Sequence, residues 1–164
     1  MTTLVPTPAP AARSHHADRT LPESGAILVF GSNEAGRHGL GIALVAKNQF
    51  GARYGVGVGR TGMSYAIPTK DRSQNLRLPT ATLPLAAVRG YVNDFLEYAR
   101  AHPELTFFVS RIGCGYAGFR DSDIAPLFSD APGNCSFAVD WKAFLEPKAL
   151  APEQSSEVRR FPRP

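Results

Sequence analysis

Two glycine-rich stretches carry most of the chemistry that can be read from this chain. The first runs Gly31-Ser32-Asn33 and on through Gly36, Gly39 and Gly41 to Ile42. The second is Gly113-Cys114-Gly115-Tyr116-Ala117-Gly118-Phe119. Glycine lets backbone N–H groups come close to a ligand, and the free N–H groups and dipole of a helix start favour an anion there. Such loops can cradle a phosphate; the alternative is a tight turn whose glycines only relieve crowding. Neither loop spells G-x-G-x-x-G between a strand and a helix with an acid about 20 residues on, so this is not the dinucleotide fingerprint.

The elements that must position these loops can be read around them. The apolar run Ile27–Phe30 reads as a buried strand, and Gly39–Phe50 as an apolar helix lying largely buried on the sheet, with Gly51 as its C′ residue. Leu105–Arg111 reads as a second strand feeding the second loop. Two strands that each end in a glycine-rich loop predict one cleft outside their carboxyl ends. Ser64–Pro68 is a further short strand, followed by a polar turn from Thr69 to Arg72. Residues 71–82 are polar enough to form a loop over the cleft, and Gly55–Gly62 suits a short strand or an ordered loop.

Thr82 is a candidate cap for the next helix, with Pro84 in its first turn. Leu85, Val88, Val92, Phe95, Leu96 and Ala99 then form one stripe of an amphipathic helix that Pro103 stops. A short helix over Asp121–Phe128, strained by Pro126, and a last strand at Cys135–Val139 complete the core. Trp141, Phe144 and Leu145 are expected to seal it.

Three segments in this order resemble the macrodomain superfamily: Gly39-Leu-Gly-Ile-Ala-Leu-Val-Ala-Lys-Asn-Gln-Phe-Gly51, Tyr65-Ala-Ile-Pro-Thr-Lys70 and Arg111-Ile-Gly-Cys-Gly115. The resemblance extends from Ile27 to Phe128 and is strongest to the branch that includes terminal ADP-ribose protein glycohydrolase. It implies an α/β fold, a three-layer α/β/α sandwich with a mixed sheet. It also implies binding of ADP-ribose or a related NAD-derived nucleotide, free or on a modified macromolecule. The first loop and helix start would hold the adenosine side and part of the diphosphate. The second loop would wrap the diphosphate and distal ribose, with Tyr116 and Phe119 able to close over the ligand.

The resemblance also assigns roles. Asn33 falls where macrodomains place an asparagine on the distal ribose; otherwise it is a turn-former. Lys70 matches a lysine that attacks the ribose C1″ in that branch. Such a lysine must be deprotonated, through burial or a neighbouring cation; the other readings are a binding lysine or a surface one. The branch also places an aspartate shortly after Gly-Cys-Gly, where this chain has Ala117. Glu34 and Asp121 are therefore the substitute acids to test, with Asp71 and Asp123 close by; Glu34 can equally bind a ribose or stay a solvated acid. Cys114 reads as a small packing residue, and Arg111 as a loop anchor through an ion pair. Enzyme and binder both stay open: a glycohydrolase, a non-catalytic reader or sequestering protein, or an α/β domain for another phosphate ligand.

Composition bounds the rest. At 164 residues, 43% hydrophobic and 20% charged, the chain suits one folded domain with tails. Residues 1–24 and 147–164, rich in proline and poor in large apolar residues, read as a disordered leader and tail that binding can spare, around a domain at 25–146. The adjacent His15 and His16 are read as incidental. The net charge of +4 includes +2 from the tail and none from the leader, and no basic stripe indicates nucleic-acid binding except as a modified substrate. No apolar run is long enough to span a membrane. Cys114 and Cys135 form no metal spacing or disulfide framework. A cytoplasmic monomer without metal or cofactor is the expectation.

Overall fold

The computed structural model describes residues 13–23 and 25–146. Strand β1 (Ser14–His16) leads to β2 (Ala26–Asn33), helix α1 (Gly41–Gln49) and strands β3 (Gly59–Thr61) and β4 (Ser64–Lys70). After a 3-10 turn at Pro79–Ala81 come α2 (Leu85–Ala101), β5 (Thr106–Val109), α3 (Asp121–Ile124), β6 (Cys135–Ala138) and α4 (Lys142–Leu145). Six strands form one sheet in the order β1-β6-β5-β2-β4-β3. All neighbours are parallel except β3, which runs antiparallel to β4 at the edge.

Strand periodicity sorts the apolar residues onto two faces. Ile27, Val29, Tyr65, Ile67, Phe107 and Val109 share the larger core with Val88, Val92, Phe95, Leu96 and Ala99 of α2. Leu28, Phe30 and Ala66 alternate to the opposite face and meet Ala43 and Ala46 of α1. Burial on both faces explains the unbroken apolar run at Ile27–Phe30. The result is the expected α/β/α sandwich on a mixed sheet.

Several local expectations need correction. Helix α1 starts at Gly41 rather than Gly39, and its buried residues are only Ala43 and Ala46. Those alanines bring it close to a narrow strip of sheet, leaving Leu40 and Leu44 exposed. Gly51 does end it in a left-handed conformation, with the Ala52 N–H returning to the Ala46 carbonyl at 3.1 Å. Thr82 does not cap α2, whose N-cap is Pro84; its hydroxyl donates instead to the Ala117 carbonyl at 3.1 Å. Pro126 splits the helix expected over 121–128 into α3 and a 3-10 turn at Ala125–Phe128. Trp141 and Leu145, spaced i and i+4, are buried, but Phe144 is 41% exposed.

The largest correction concerns the leader. Residues 1–12 and 147–164 lie outside the described residues, but Ser14–His16 forms β1, parallel to β6. The two histidines are not incidental. The His16 ring stacks on Phe108 with centroids 3.6 Å apart, and His15 Nε2 lies 3.2 Å from the Glu146 carboxylate.

The first loop is held by close backbone contact with residues 53–57. A Cβ on Gly57 would lie 2.1 Å from the Asn33 carbonyl oxygen, and one on Gly36 would lie 2.4 Å from the backbone of Gly55 and Val56. Overpacking against backbone costs about 1–3 kcal/mol or more. Gly57→Ala should therefore lower the urea midpoint clearly. Gly39→Ala, whose Cβ meets nothing within 4 Å, should leave it nearly unchanged. Equal midpoints for the two variants would refute this bracing.

Candidate functional site

At the end of β2 the pairing with β4 shifts between Ser32 and Asn33, so that Asn33 stands opposite Lys70. The Asn33 side chain then closes a turn: Nδ2 donates to the Arg37 carbonyl at 2.8 Å, and Oδ1 accepts from the Arg37 N–H at 2.9 Å. The Ser32 hydroxyl donates to the Gly57 carbonyl. His38 is fully buried edge-on to Phe30, with Nε2 3.0 Å from the Val56 carbonyl. Burial lowers its pKa, so it stays a neutral brace. What this rigid loop presents is backbone. The N–H groups of Gly41, Ile42 and Ala43 at the start of α1 have no partner among the described residues.

The second loop is built the same way. Gly113 and Gly118 take left-handed conformations, and bonds from Phe119 N–H to the Gly113 carbonyl (2.9 Å) and from Gly118 N–H to the Gly115 carbonyl (3.1 Å) fold it. Between them the N–H groups of Gly115, Tyr116 and Ala117 have no partner among the described residues. Successive free N–H groups in a turn form an anion-binding concavity. As the sequence suggested, Arg111 anchors the loop by an ion pair: Nε and Nη2 reach the Asp121 carboxylate at 3.0 and 2.6 Å.

Between the loops lies a cleft of about 340 Å³. Lys70 is on its wall, as the last residue of β4 and not in a polar turn, and is only 5% exposed. Burial lowers its pKa and the neighbouring Asp71 opposes that shift; its Nζ donates to the Leu78 carbonyl at 3.3 Å. Gln74, Asn75, Leu76 and Arg77 cover one side of the cleft. Arg37 holds this strap through the Ser73 and Gln74 carbonyls at 3.1 and 3.4 Å. Among the described residues the charged side chains on the lining are Arg37, Lys70 and Arg77, with no carboxylate. A smaller hollow of about 150 Å³ lies beside Ile42, Phe108, Asp18 and Arg111.

Solved structures with this arrangement of elements settle the fold. The macrodomain of Mycobacterium tuberculosis DarG superposes with a TM-score of 0.60 at 20% identity, over 77% of this chain and 97% of that one. The chain has the macrodomain fold. A protein from Bacteroides thetaiotaomicron matches with a TM-score of 0.50 at 16% identity, over 77% of this chain and 99% of its own. No protein-family model and no curated protein matches the chain.

Within this fold the cleft gathers Gly31, Ser32, Asn33, Gly39, Lys70, Gly113, Gly115, Tyr116 and Ala117. Gly41 adjoins it, since a Cβ there would lie 3.4 Å from the Tyr116 ring. Ile42 faces the smaller hollow instead. Cys114 and Phe119 pack against the larger core, and Gly118 is an exposed turn residue; none of the three lines the cleft. Burial, then the Asp121 carboxylate, pushes the Cys114 thiol up to about 12, which fits a packing residue.

The acids proposed to assist Lys70 are each held elsewhere. Glu34 accepts from the Tyr91 hydroxyl, Asp121 pairs with Arg111 and takes the Trp141 Nε1–H at 2.7 Å, and Asp123 accepts from the Arg120 N–H. Asp71 accepts from the Ser73 N–H at 2.8 Å. Leu40, Ala43, Thr69 and the strap residues 74–77 are lining residues that the motifs did not single out. Leu40, Ala43 and Thr69 lie inside the motif segments without a role of their own, and the signal for residues 74–77 was the polar stretch after β4. Among the described residues no group of three or more His, Cys, Asp or Glu side chains is placed to hold a metal ion.

Lys70 gives a titration test. Its folded pKa lies below the ordinary 10.5, so between the two values the unfolded chain binds the extra proton and stability rises with pH. The stability difference, wild type minus Lys70→Met, should therefore grow from neutral pH to about pH 9.5. A difference that stays flat or falls in urea titrations would show that burial does not depress this lysine.

Proposed function

We propose that this macrodomain binds ADP-ribose or a closely related NAD-derived nucleotide, free or attached to a macromolecule. The observation that carries the reading is the pair of unpartnered N–H arrays, Gly41–Ala43 and Gly115–Ala117, beside a cleft whose charged side chains among the described residues are all cationic. A diphosphate between them is neutralised from both sides without a metal ion. The ribose beyond it lies toward Lys70 and the strap. The nucleoside lies toward the smaller hollow, where Ile42 and Phe108 supply apolar contact.

Titration calorimetry with ADP-ribose, ADP and ribose 5-phosphate tests this. ADP-ribose should bind tightest, because it alone spans both hollows. Gly115→Val is the sharpest block: a Cβ there meets nothing within 4 Å, so the fold is spared while the side chain fills the N–H array. Gly41→Val is less clean, because Gly41 has a φ of +56°, where a valine is strained. Gly115→Val should weaken ADP-ribose at least about tenfold, some 1.4 kcal/mol. Unchanged affinity in a folded Gly115→Val would refute the placement.

A second reading, glycohydrolysis, is favoured by one observation, the buried Lys70 with its lowered pKa. In that reading neutral Nζ attacks C1″ as the bond from C1″ to the acceptor breaks. The acceptor leaves with the electron pair and takes up a proton through solvent from the alkylated nitrogen, and water then cleaves the ring-opened Schiff base to free ADP-ribose and the lysine. Wild type and Lys70→Ala are incubated with ADP-ribosylated substrates, and borohydride is added to trap a lysine adduct. Release by wild type alone, with a trapped adduct, supports turnover. Tight ADP-ribose binding with no release from any linkage favours the reader.

A further inference from the structure

The Arg111 guanidinium does more than close the second loop. Its Nε and Nη2 grip Asp121, at the loop's far end, at 3.0 and 2.6 Å. Its Nη1 donates to Asp18 Oδ2 at 2.8 Å, while Asp140 stands off at 3.9 Å. Asp18 follows β1, which is held to the sheet by only three residues of pairing with β6. Arg111 and Asp18 both line the smaller hollow, whereas the loop that Asp121 terminates lines the larger cleft.

We infer that Asp18–Arg111–Asp121 is a clasp through which the N-terminal strand positions the second loop for ligand. Its effect on affinity rests on the diphosphate-binding reading above. The loop's own folding bonds are few, and they leave the N–H groups of Gly115 to Ala117 unpaired. Their direction is therefore set by how the loop's ends are fixed. One end leaves the sheet at Arg111 and the other enters α3 at Asp121, so the bidentate pair fixes the span between them. Asp18 holds the guanidinium from the opposite side, so that its fork cannot swing off Asp121. A lysine ammonium is one compact point charge without the planar fork and cannot reproduce this two-carboxylate geometry. Arg111, Asp18 and Asp121 are thus positioning residues that act on the ligand through backbone N–H groups and not by contact. The stretch that composition marks as a dispensable leader then belongs, from residue 13 on, to the binding apparatus.

The test uses the full chain and four proteins: wild type, Asp18→Asn, Arg111→Lys and the double variant. Hydrogen exchange in 113–119 is read without ligand at the hydrogen-bonded Cys114, Gly118 and Phe119 amides, melting is followed by circular dichroism, and ADP-ribose affinity is measured by calorimetry. Asp18→Asn is expected to speed exchange in 113–119 while α2 stays protected, and to weaken ADP-ribose roughly tenfold or more. The double variant should lose little more than Arg111→Lys alone, because the two changes break one unit. Unchanged exchange in 113–119 for both single variants would overturn the clasp, whatever ligand the cleft takes. Faster loop exchange with wild-type affinity would likewise overturn its role in binding. Failure of wild type to bind ADP-ribose would sink the functional reading alone, and the exchange data would still decide whether the clasp exists.

Discussion

The hydrogen bond from the Glu34 N–H to the Lys70 carbonyl, 2.9 Å long, ends the pairing of β2 with β4, and the site depends on where that pairing stops. The register shift at Ser32 and Asn33 has already used one residue of slack, so β4 runs on to Lys70. The first loop and the lysine therefore leave the sheet at one point. Had β4 ended at Pro68, Lys70 would sit in solvent with an ordinary pKa. Instead its backbone is covered on the other side too, because the Leu83 N–H donates to the Thr69 carbonyl and the Asp71 N–H to the Ala81 carbonyl. The polar stretch between residues 71 and 81 is thereby pinned at both ends and must arch over the cleft.

This double pinning also explains what could be read in the sequence. The apolar run of β2, the stripe of α2 and the two glycine loops are local patterns, and they located the main strands, the long helix and the cleft, whereas the sandwich and its mixed sheet were implied by the family resemblance. Lys70 in a strand was not legible, because Thr69-Lys70-Asp71-Arg72 is a polar run and its burial comes from residues 81–83 and from Asn33. Strand β1 was illegible for a related reason. Ser-His-His has no strand pattern, and its partner Ser136–Ala138 lies far along the chain. Asn33 was found as a cleft residue, but its side chain serves the turn, a choice between two hydrogen-bonding roles that residue type cannot settle.

The two loops reach similar ends by different means. The first is fixed by steric exclusion: glycines at 36 and 57 let backbone touch backbone, and buried neutral His38 fills the remaining gap. The second has little packing at its apex, where Gly115 and Tyr116 are exposed, and depends on charge at its base and on the Thr82 hydroxyl. Rigid and clamped loops both present N–H groups in place of side chains. Arginine and lysine then add charge around them without having to orient the anion. Under the proposed reading, a ligand held in this way would be recognised by the spacing of its phosphates and by what lies on either side of them.

That arrangement separates binding from turnover in physical terms. Binding a diphosphate needs donors and positive charge, and the cleft has both. Breaking a glycosidic bond needs a nucleophile and a departing group that can carry away its electrons. Lys70 meets the first requirement when burial keeps it neutral. The second normally falls to a nearby acid, whose proton transfer contributes about 10²–10⁴-fold. Here Ala117 stands where an aspartate would be expected, and Glu34, Asp71, Asp121 and Asp123 are each committed to another donor. Any reaction at Lys70 must then draw that proton from water or release a group already stable as an anion. The side chains nearest the departing group would be those of the strap, where Arg77 can stabilise negative charge but cannot supply a proton at neutral pH.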